Sequence, residues 1–417
     1  MNRKYRPTGT SFALRLSAAA LALAAAGGAG AQVTLGMHFP PSVQPLEQGR
    51  ALVYEVDARN ADAACARLVD VKAEAGALQR RYQGPAIVAN ALVYDAQMQP
   101  LRNPAPDETT LHPVDLPPGG GVVLYFFVEL AADTPAPESL RHTLVFTDCD
   151  AAGSARRSVV DEAPISTAPA VVVGLPFRGP GWVAGDSVNP AGTHRRTLIP
   201  VRDENGAPIV GQYHVPERYA IDWVAIDDDA HRAIGPIDRN DSYLAYGKEI
   251  IAVADGVVSR TRDGMAENTP PLNPPNPTVE MAAGNYIMQD IGGGHYAFYA
   301  HLTPGSLRVH EGDRVVRGQV IALLGNSGNS SEAHLHFHVS NANDPLMSEG
   351  VPYVFDRFRS TGQADGLDEE SGLFDDVSRY APSLRLLAMP RSYSIVDADP
   401  APPSPYEWAF PLSRCMP

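Results

Sequence analysis

The densest chemistry in the chain lies in Ala333-His334-Leu335-His336-Phe337-His338-Val339. Side chains of an extended strand alternate between faces, so the three imidazoles share one face while Leu335, Phe337 and Val339 share the other. Three imidazoles on one rigid face make a metal-ligating pattern. The competing reading is a solvated polar face, an uneconomical use of histidine in a chain with only 12 of them. A second cluster is Tyr299-Ala300-His301-Leu302, and a third is Arg218-Tyr219-Ala220-Ile221-Asp222-Trp223-Val224, where alternation sets Asp222 opposite Ile221 and Trp223. A lone carboxylate in an apolar strand is costly unless paired or metal-bound. Singly, His301 or Asp222 reads as a satisfied structural residue; beside the histidine strand they read as one site.

Strands must position these groups. Short Val-, Ile- and Tyr-rich runs, mostly bounded by glycine, predict strands over Glu249 to Ser259, Asn285 to Asp290, His295 to His301, Arg314 to Leu324 and Ala333 to Val339. The proline- and asparagine-rich stretch from Asp263 to Gly284 reads as a surface loop, because proline supplies no ladder donor. Upstream, Ala51 to Val56, Ala86 to Tyr94, Val122 to Val128 and Thr143 to Phe146 read as further strands, separated by breakers such as Pro117-Pro118-Gly119-Gly120-Gly121. The expected fold is all-β: an immunoglobulin-like β-sandwich over 32–160, a linker over 161–169, an antiparallel β domain over 170–345 carrying the site, and a C-terminal extension over 346–417.

Composition bounds the function. Hydrophobic residues at 44% and charged residues at 19% describe a globular chain, and 36 glycines with 38 prolines favour many turns between short strands. A net charge of −15 repels phosphate backbones and anionic membranes, which argues against nucleic-acid partners. Arg3, Lys4, Arg6 and Arg15 precede an apolar run from Leu16 to Ala26 and a small-residue end at Ala31, the pattern of a secretory signal peptide over 1–31. No later run reaches the roughly 18 apolar residues of a membrane span. An exported chain, periplasmic or extracellular, follows, and in that setting Cys65 and Cys149 can pair, leaving Cys415 over.

The motifs resemble, in order, those of the lysostaphin/LytM-type zinc metallopeptidases, which cut peptide cross-links of bacterial cell walls. The series runs from about Leu175 to Asp344: Ala220-Ile221-Asp222, Ile251 to Val258, Gly284-Asn285-Tyr286-Ile287, Tyr299-Ala300-His301-Leu302, Val309 to Val315 with Gly318-Gln319, Leu324-Gly325-Asn326-Ser327-Gly328, and His334-Leu335-His336-Phe337. The resemblance implies zinc as cofactor, Asp222 and His336 as ligands, His301 and His334 as the histidines that orient water and stabilise the oxyanion, and peptidoglycan peptides as substrate. One carboxylate and two imidazoles leave a fourth zinc position for a water whose pKa falls to ~7. The sequence departs from the family at Arg218, where the first histidine ligand is expected. His194 and His214 are equal candidates to replace it. Arg218 would then lie near the site as a carboxylate or oxyanion partner. A zinc endopeptidase is the leading reading, a catalytically inactive wall-binding or amidase-activating protein on the same fold the second, and a metal- or carbohydrate-binding module the third. His310-Glu311-Gly312-Asp313-Arg314 lacks the second histidine of a helical zinc motif, and Asn326-Ser327-Gly328 lacks a nucleophile elbow.

Overall fold

Among the described residues, alternating and apolar runs cut by glycine and proline fold as strands, and helix is confined to single turns. The computed structural model describes residues 33–76, 78–102, 114–131, 135–150, 156–274, 278–368 and 373–398. The leader expected over 1–31, Cys415 and the apolar island from Tyr406 to Phe410 lie outside the described residues.

The N-terminal part is a two-sheet sandwich. One sheet orders Val33–Gly36, Arg50–Asn60, Gly121–Leu130, Ala91–Tyr94 and Pro100–Arg102, with Ser42–Pro45 beside Arg50–Asn60; the other orders Arg157–Pro164, Ser139–Asp148, Ala66–Ala75 and Leu78–Tyr82, with Val114–Leu116 beside Ala66–Ala75. Leu52, Tyr54, Val56, Leu68, Leu124, Leu144 and Phe146 fill the space between them. Cys65 and Cys149 form a disulfide with Cα atoms 5.6 Å apart. Two stretches differ from the sequence expectation. Ala86 to Tyr94 splits into a helical turn Pro85–Val88 and a strand Ala91–Tyr94, because Pro85 at the first turn has the helical φ and no N–H to lose. Arg157–Pro164 runs into the stretch read as a linker, its Pro164 opposite Ser139 at the strand end, where a missing donor is tolerated.

The second part is built on an 11-stranded sheet: Val171–Val173, Tyr353–Gln363, Ser394–Asp397, Trp182–Gly185, Ile221–Ala225, Leu335–Ser340, His295–Leu302, Asn285–Gly292, Gly256–Arg262 and Arg314–Val315 in order, with Ser378–Ala388 beside Tyr353–Gln363. Glu249 to Ser259 and Arg314 to Leu324 are each interrupted; Glu249–Ile251 and Val320–Leu323 leave the main sheet to pair with each other. Three strands come from residues beyond 345, so this stretch is built into the sheet beside Trp182–Gly185. Trp182, Trp223, Tyr299, Leu335, Phe337, Tyr353 and Phe355 fill the core behind it.

The two parts share buried surface. Along Arg50–Asn60, Leu52, Tyr54 and Val56 face the sandwich interior, whereas Ala51 and Val53 join the core of the second part. Tyr213 and Val215 pack with Tyr94, Val123 and Tyr125 of the sandwich. Arg218 bridges this junction: Nε lies 2.8 Å from Glu55 Oε2 and Nη2 2.9 Å from Glu349 Oε2, with all three side chains largely buried. Burial pushes the Glu55 carboxyl up and Arg218 is the main opposing influence. Arg218 is thus a carboxylate partner at the junction, not beside Asp222. Removing one member of a buried pair strands the other. Arg218→Ala is expected to lower unfolding free energy by about 3–5 kcal/mol. Urea unfolding measures it, and a loss well under ~1 kcal/mol, the scale of an exposed pair, would contradict the assignment.

Candidate metal and hydrolytic site

Asp222 and His336 face each other across adjacent antiparallel strands, in direct register, with Ala300 opposite His336 on the far side. Their neighbours Ile221, Trp223, Leu335 and Phe337 are fully buried on the opposite face, so pleat alternation leaves the polar pair on the open one. His336 Nδ1 lies 2.9 Å from Asp222 Oδ1.

His194 completes the cluster from the single-turn 3-10 helix His194–Arg196. Its Nε2 is 3.1 Å from Asp222 Oδ2, and its Nδ1–H donates to the Asp186 carbonyl at 3.0 Å. The Asp186 carboxylate accepts from the backbone N–H groups of Thr193 and His194 at 2.9 and 3.2 Å, which fixes the turn. His214 is held elsewhere, with Nδ1 3.0 Å from Glu349 Oε1, and stands outside the cluster. Of the two histidines left open by the sequence, the structure brings His194 to Asp222 and His336.

One ligand-type atom from each of His194, Asp222 and His336 lies within 4.8 Å of the other two. Two imidazoles and one carboxylate form the donor set of catalytic zinc, and the hydrogen bond from His194 Nδ1 is the usual orienting partner of a ligating imidazole. Burial opposes charge on His194, but Asp222, Glu217 and Asp186 outweigh it and raise its pKa to about 10. The surrounding anions therefore favour a cation at this spot, and the residues fit a divalent metal.

His301 and His334 flank the cluster, their rings 4.6 Å apart. His301, at a register irregularity one residue before the end of its strand, has a positive φ of 62° and donates Nδ1–H to the Ser327 carbonyl at 2.7 Å. Burial, reinforced by His334 and His336, holds its pKa well below the usual histidine range. His334 donates Nδ1–H to the Glu332 carbonyl at 2.9 Å, with Nε2 3.5 Å from Asp222 Oδ1. Each ring therefore has Nδ1 engaged by backbone and Nε2 left for chemistry.

Some contributors escaped the sequence reading. His338, counted on the histidine face but given no role, places Nδ1 3.0 Å from His336 Nε2; a His336 that commits Nδ1 to a metal can donate Nε2–H to it. Glu217 lies 3.7 Å from His336 Nε2 and shares with it a cavity of about 390 Å³ that also includes His194, Asp222, His301 and His334. A second cavity of about 270 Å³ continues from this one through Asp222, Asn273, Ser331 and His334 toward Arg232, Phe374 and Tyr393. Together they form a groove across the cluster, bordered by the proline-rich loop at Pro271 and Asn273. Phe374 and Tyr393 lie beyond the motif series, where no pattern marks them.

The model of Peptidase family M23 matches residues 240–348. Peptidoglycan DD-endopeptidase ShyA of Vibrio cholerae serotype O1 is 28% identical over 161 residues, 36% of this chain. The chain spans about a third, 33%, of the length of that curated relative. Among solved structures, the catalytic domain of lysostaphin from Staphylococcus simulans is 22% identical with a TM-score of 0.19, covering 29% of this chain and 84% of that one. A zinc-containing peptidase from Vibrio cholerae is 15% identical with a TM-score of 0.21, covering 69% and 77%.

The geometry yields a ligand test. His194→Ala, Asp222→Ala and His336→Ala should each abolish stoichiometric zinc in the purified protein, whereas His214→Ala keeps it, because a site of two protein ligands holds zinc poorly. Metal analysis decides; zinc lost in His214→Ala but kept in His194→Ala would reverse the assignment.

Proposed function

We propose, from the match of the Peptidase family M23 model to residues 240–348, that the chain is an exported, zinc-dependent endopeptidase that hydrolyses peptide bonds of peptidoglycan or a related envelope substrate. The observation that carries the proposal is the convergence of His194, Asp222 and His336 on the floor of a groove, with the Nδ1 atoms of His301 and His334 already engaged. The ShyA match supports peptidoglycan as the substrate class.

When bound by His194, Asp222 and His336, zinc supplies a Lewis acid for the scissile carbonyl and a water of lowered pKa. The remaining work belongs to the chain's own groups. Asp222 and His336 are held by strand register and His194 by the Asp186 turn, so no ligand must be ordered when substrate arrives. His301, kept neutral by burial, presents Nε2 as a proton acceptor for the attacking water. His334, when protonated at Nε2, donates to the developing oxyanion, and His301 returns the proton it accepted from the water to the leaving amine. The groove accommodates an extended peptide on both sides of the cluster, with Phe374 and Tyr393 as apolar walls at one end.

Arg218, standing where the resemblance calls for the first histidine ligand, is the departure that would favour a silent wall-binding protein. Its charge is satisfied by Glu55 and Glu349, and its place near the cluster is taken by His194, so it gives that reading no support.

Purified sacculi incubated with the zinc-loaded protein should release muropeptides newly cut at a peptide bond, identifiable by mass spectrometry, and a chelator should stop the release until zinc is restored. His301→Ala and His334→Ala are expected to retain zinc while losing roughly 10²–10³-fold in kcat, the scale of losing a group that acts in the transition state. A zinc-loaded protein that leaves sacculi and their isolated peptides intact would refute the proposal.

A further inference from the structure

The three groups that converge on the site are secured very unequally. Asp222 and His336 sit within strands paired on both sides. His194 sits on one turn of 3-10 helix, a poor scaffold by itself. That turn is shaped from within by Asp186, and it is also held from outside the peptidase part of the chain. The next residue, Arg195, is 1% exposed, and its guanidinium donates from Nη2 to the Phe126 carbonyl at 2.7 Å and from Nη1 to the Asn189 carbonyl at 3.3 Å. It lies 6.0 and 5.9 Å from the ring centroids of Tyr125 and Phe127. Arg196 donates from Nη2 to the Ala89 carbonyl at 2.7 Å and lies 5.3 Å from the centroid of Tyr125. Phe126 belongs to the sandwich strand Gly121–Leu130, and Ala89 follows its helical turn.

A buried guanidinium without partners is strongly unfavourable, so its hydrogen bonds must be kept wherever the backbone allows. Phe126 is not free to follow a moving turn. Its strand is paired with Arg50–Asn60, and its ring stacks on Tyr54 at 4.9 Å in the sandwich core. The carbonyl that receives Arg195 is therefore a fixed point, and Arg195 is one residue along the chain from the ligating imidazole. From this, and resting on the zinc reading above, we infer that the N-terminal sandwich completes the metal site: it clamps Arg195 and Arg196, and Arg195 is the positioning residue for His194. The Asp186 carboxylate sets the turn's internal shape, and the sandwich sets where the turn stands over Asp222 and His336.

The full-length protein tests this through metal affinity and coordination. Zinc dissociation constants are measured by chelator competition, and the visible spectrum of the cobalt-substituted protein is recorded, for the unaltered chain, Arg195→Ala, Arg195→Lys, Arg196→Ala and Arg67→Ala. Arg67 is a control, paired with Asp115 within the sandwich at 2.7 Å. Arg195→Ala should bind zinc roughly 10–100-fold more weakly, as when an orienting partner of a ligand is lost, with an altered cobalt spectrum. Arg195→Lys, still able to donate to Phe126, should recover part of the affinity, and Arg67→Ala should match the unaltered chain. Arg195→Ala with unaltered affinity and spectrum would overturn the inference, as would an equal loss in Arg67→Ala. If Arg195→Ala does not fold, Arg196→Ala decides: weaker zinc with a shifted spectrum supports the clamp, and unchanged values reject it. An unaltered chain that binds no zinc refutes the underlying reading, whereas zinc held equally by every variant refutes the clamp alone.

Discussion

Register between two strands is the constraint on which the site depends. Asp222 and His336 meet because Ile221–Ala225 and Leu335–Ser340 pair with those residues opposite each other. A slip of one residue in either strand would turn its polar group into the core and push its apolar neighbours out of it, Trp223 in the one or Leu335 and Phe337 in the other. The burial of those three residues, each at 0% exposure, is what forbids the slip. The apolar side of the sheet thus specifies the geometry of its polar side, and everything else at the site is brought to a pair already fixed.

How much of this could be read from the sequence follows from the range of the interactions involved. Alternation in His334 to Val339 puts His334, His336 and His338 on one face and Leu335, Phe337 and Val339 on the other, because pleat geometry is local. The all-β class was legible for the same reason, since glycine and proline act where they stand. The choice between His194 and His214 was not legible. His194 is held by Asp186, eight residues away, and through Arg195 by Phe126, far upstream; His214 is taken by Glu349, far downstream. No spacing rule reaches those partners. The strands after residue 352 were obscured differently. Ser378–Ala388 is an edge strand exposed along most of its length, and Pro382 breaks its run before the short apolar island at Leu384. Ala86 to Tyr94 was mistaken because its apolar run is long enough to hide the proline-started turn at its head.

Arg218 shows how one substitution can redistribute roles. It stands four residues before Asp222, where the family resemblance calls for a ligand, yet its side chain serves the junction with the sandwich through Glu55 and Glu349. With that position given to domain packing, an imidazole must come from elsewhere, and the turn that supplies it is itself docked on the sandwich. Two residues that differ in purpose, Arg195 and Arg218, anchor to the same sheet, the one through Phe126 and the other through Glu55 on the neighbouring strand. The site and the junction therefore cannot be varied independently.

The order of the large sheet also bears on when the chain can mature. Trp182–Gly185, which places Gly185 opposite Asp222, has Ser394–Asp397 as its other neighbour, more than two hundred residues later. A strand pair of such high contact order forms only after a long loop has closed, which makes it slow. While the chain is being made, the carboxylate strand has one neighbour missing two places away, and the core behind Val183 and Ile395 stands open. A nascent or truncated chain would have the histidine motif in full and still lack the finished sheet beneath it. The histidine motif is therefore synthesised before the strand that pairs with the far edge of Trp182–Gly185.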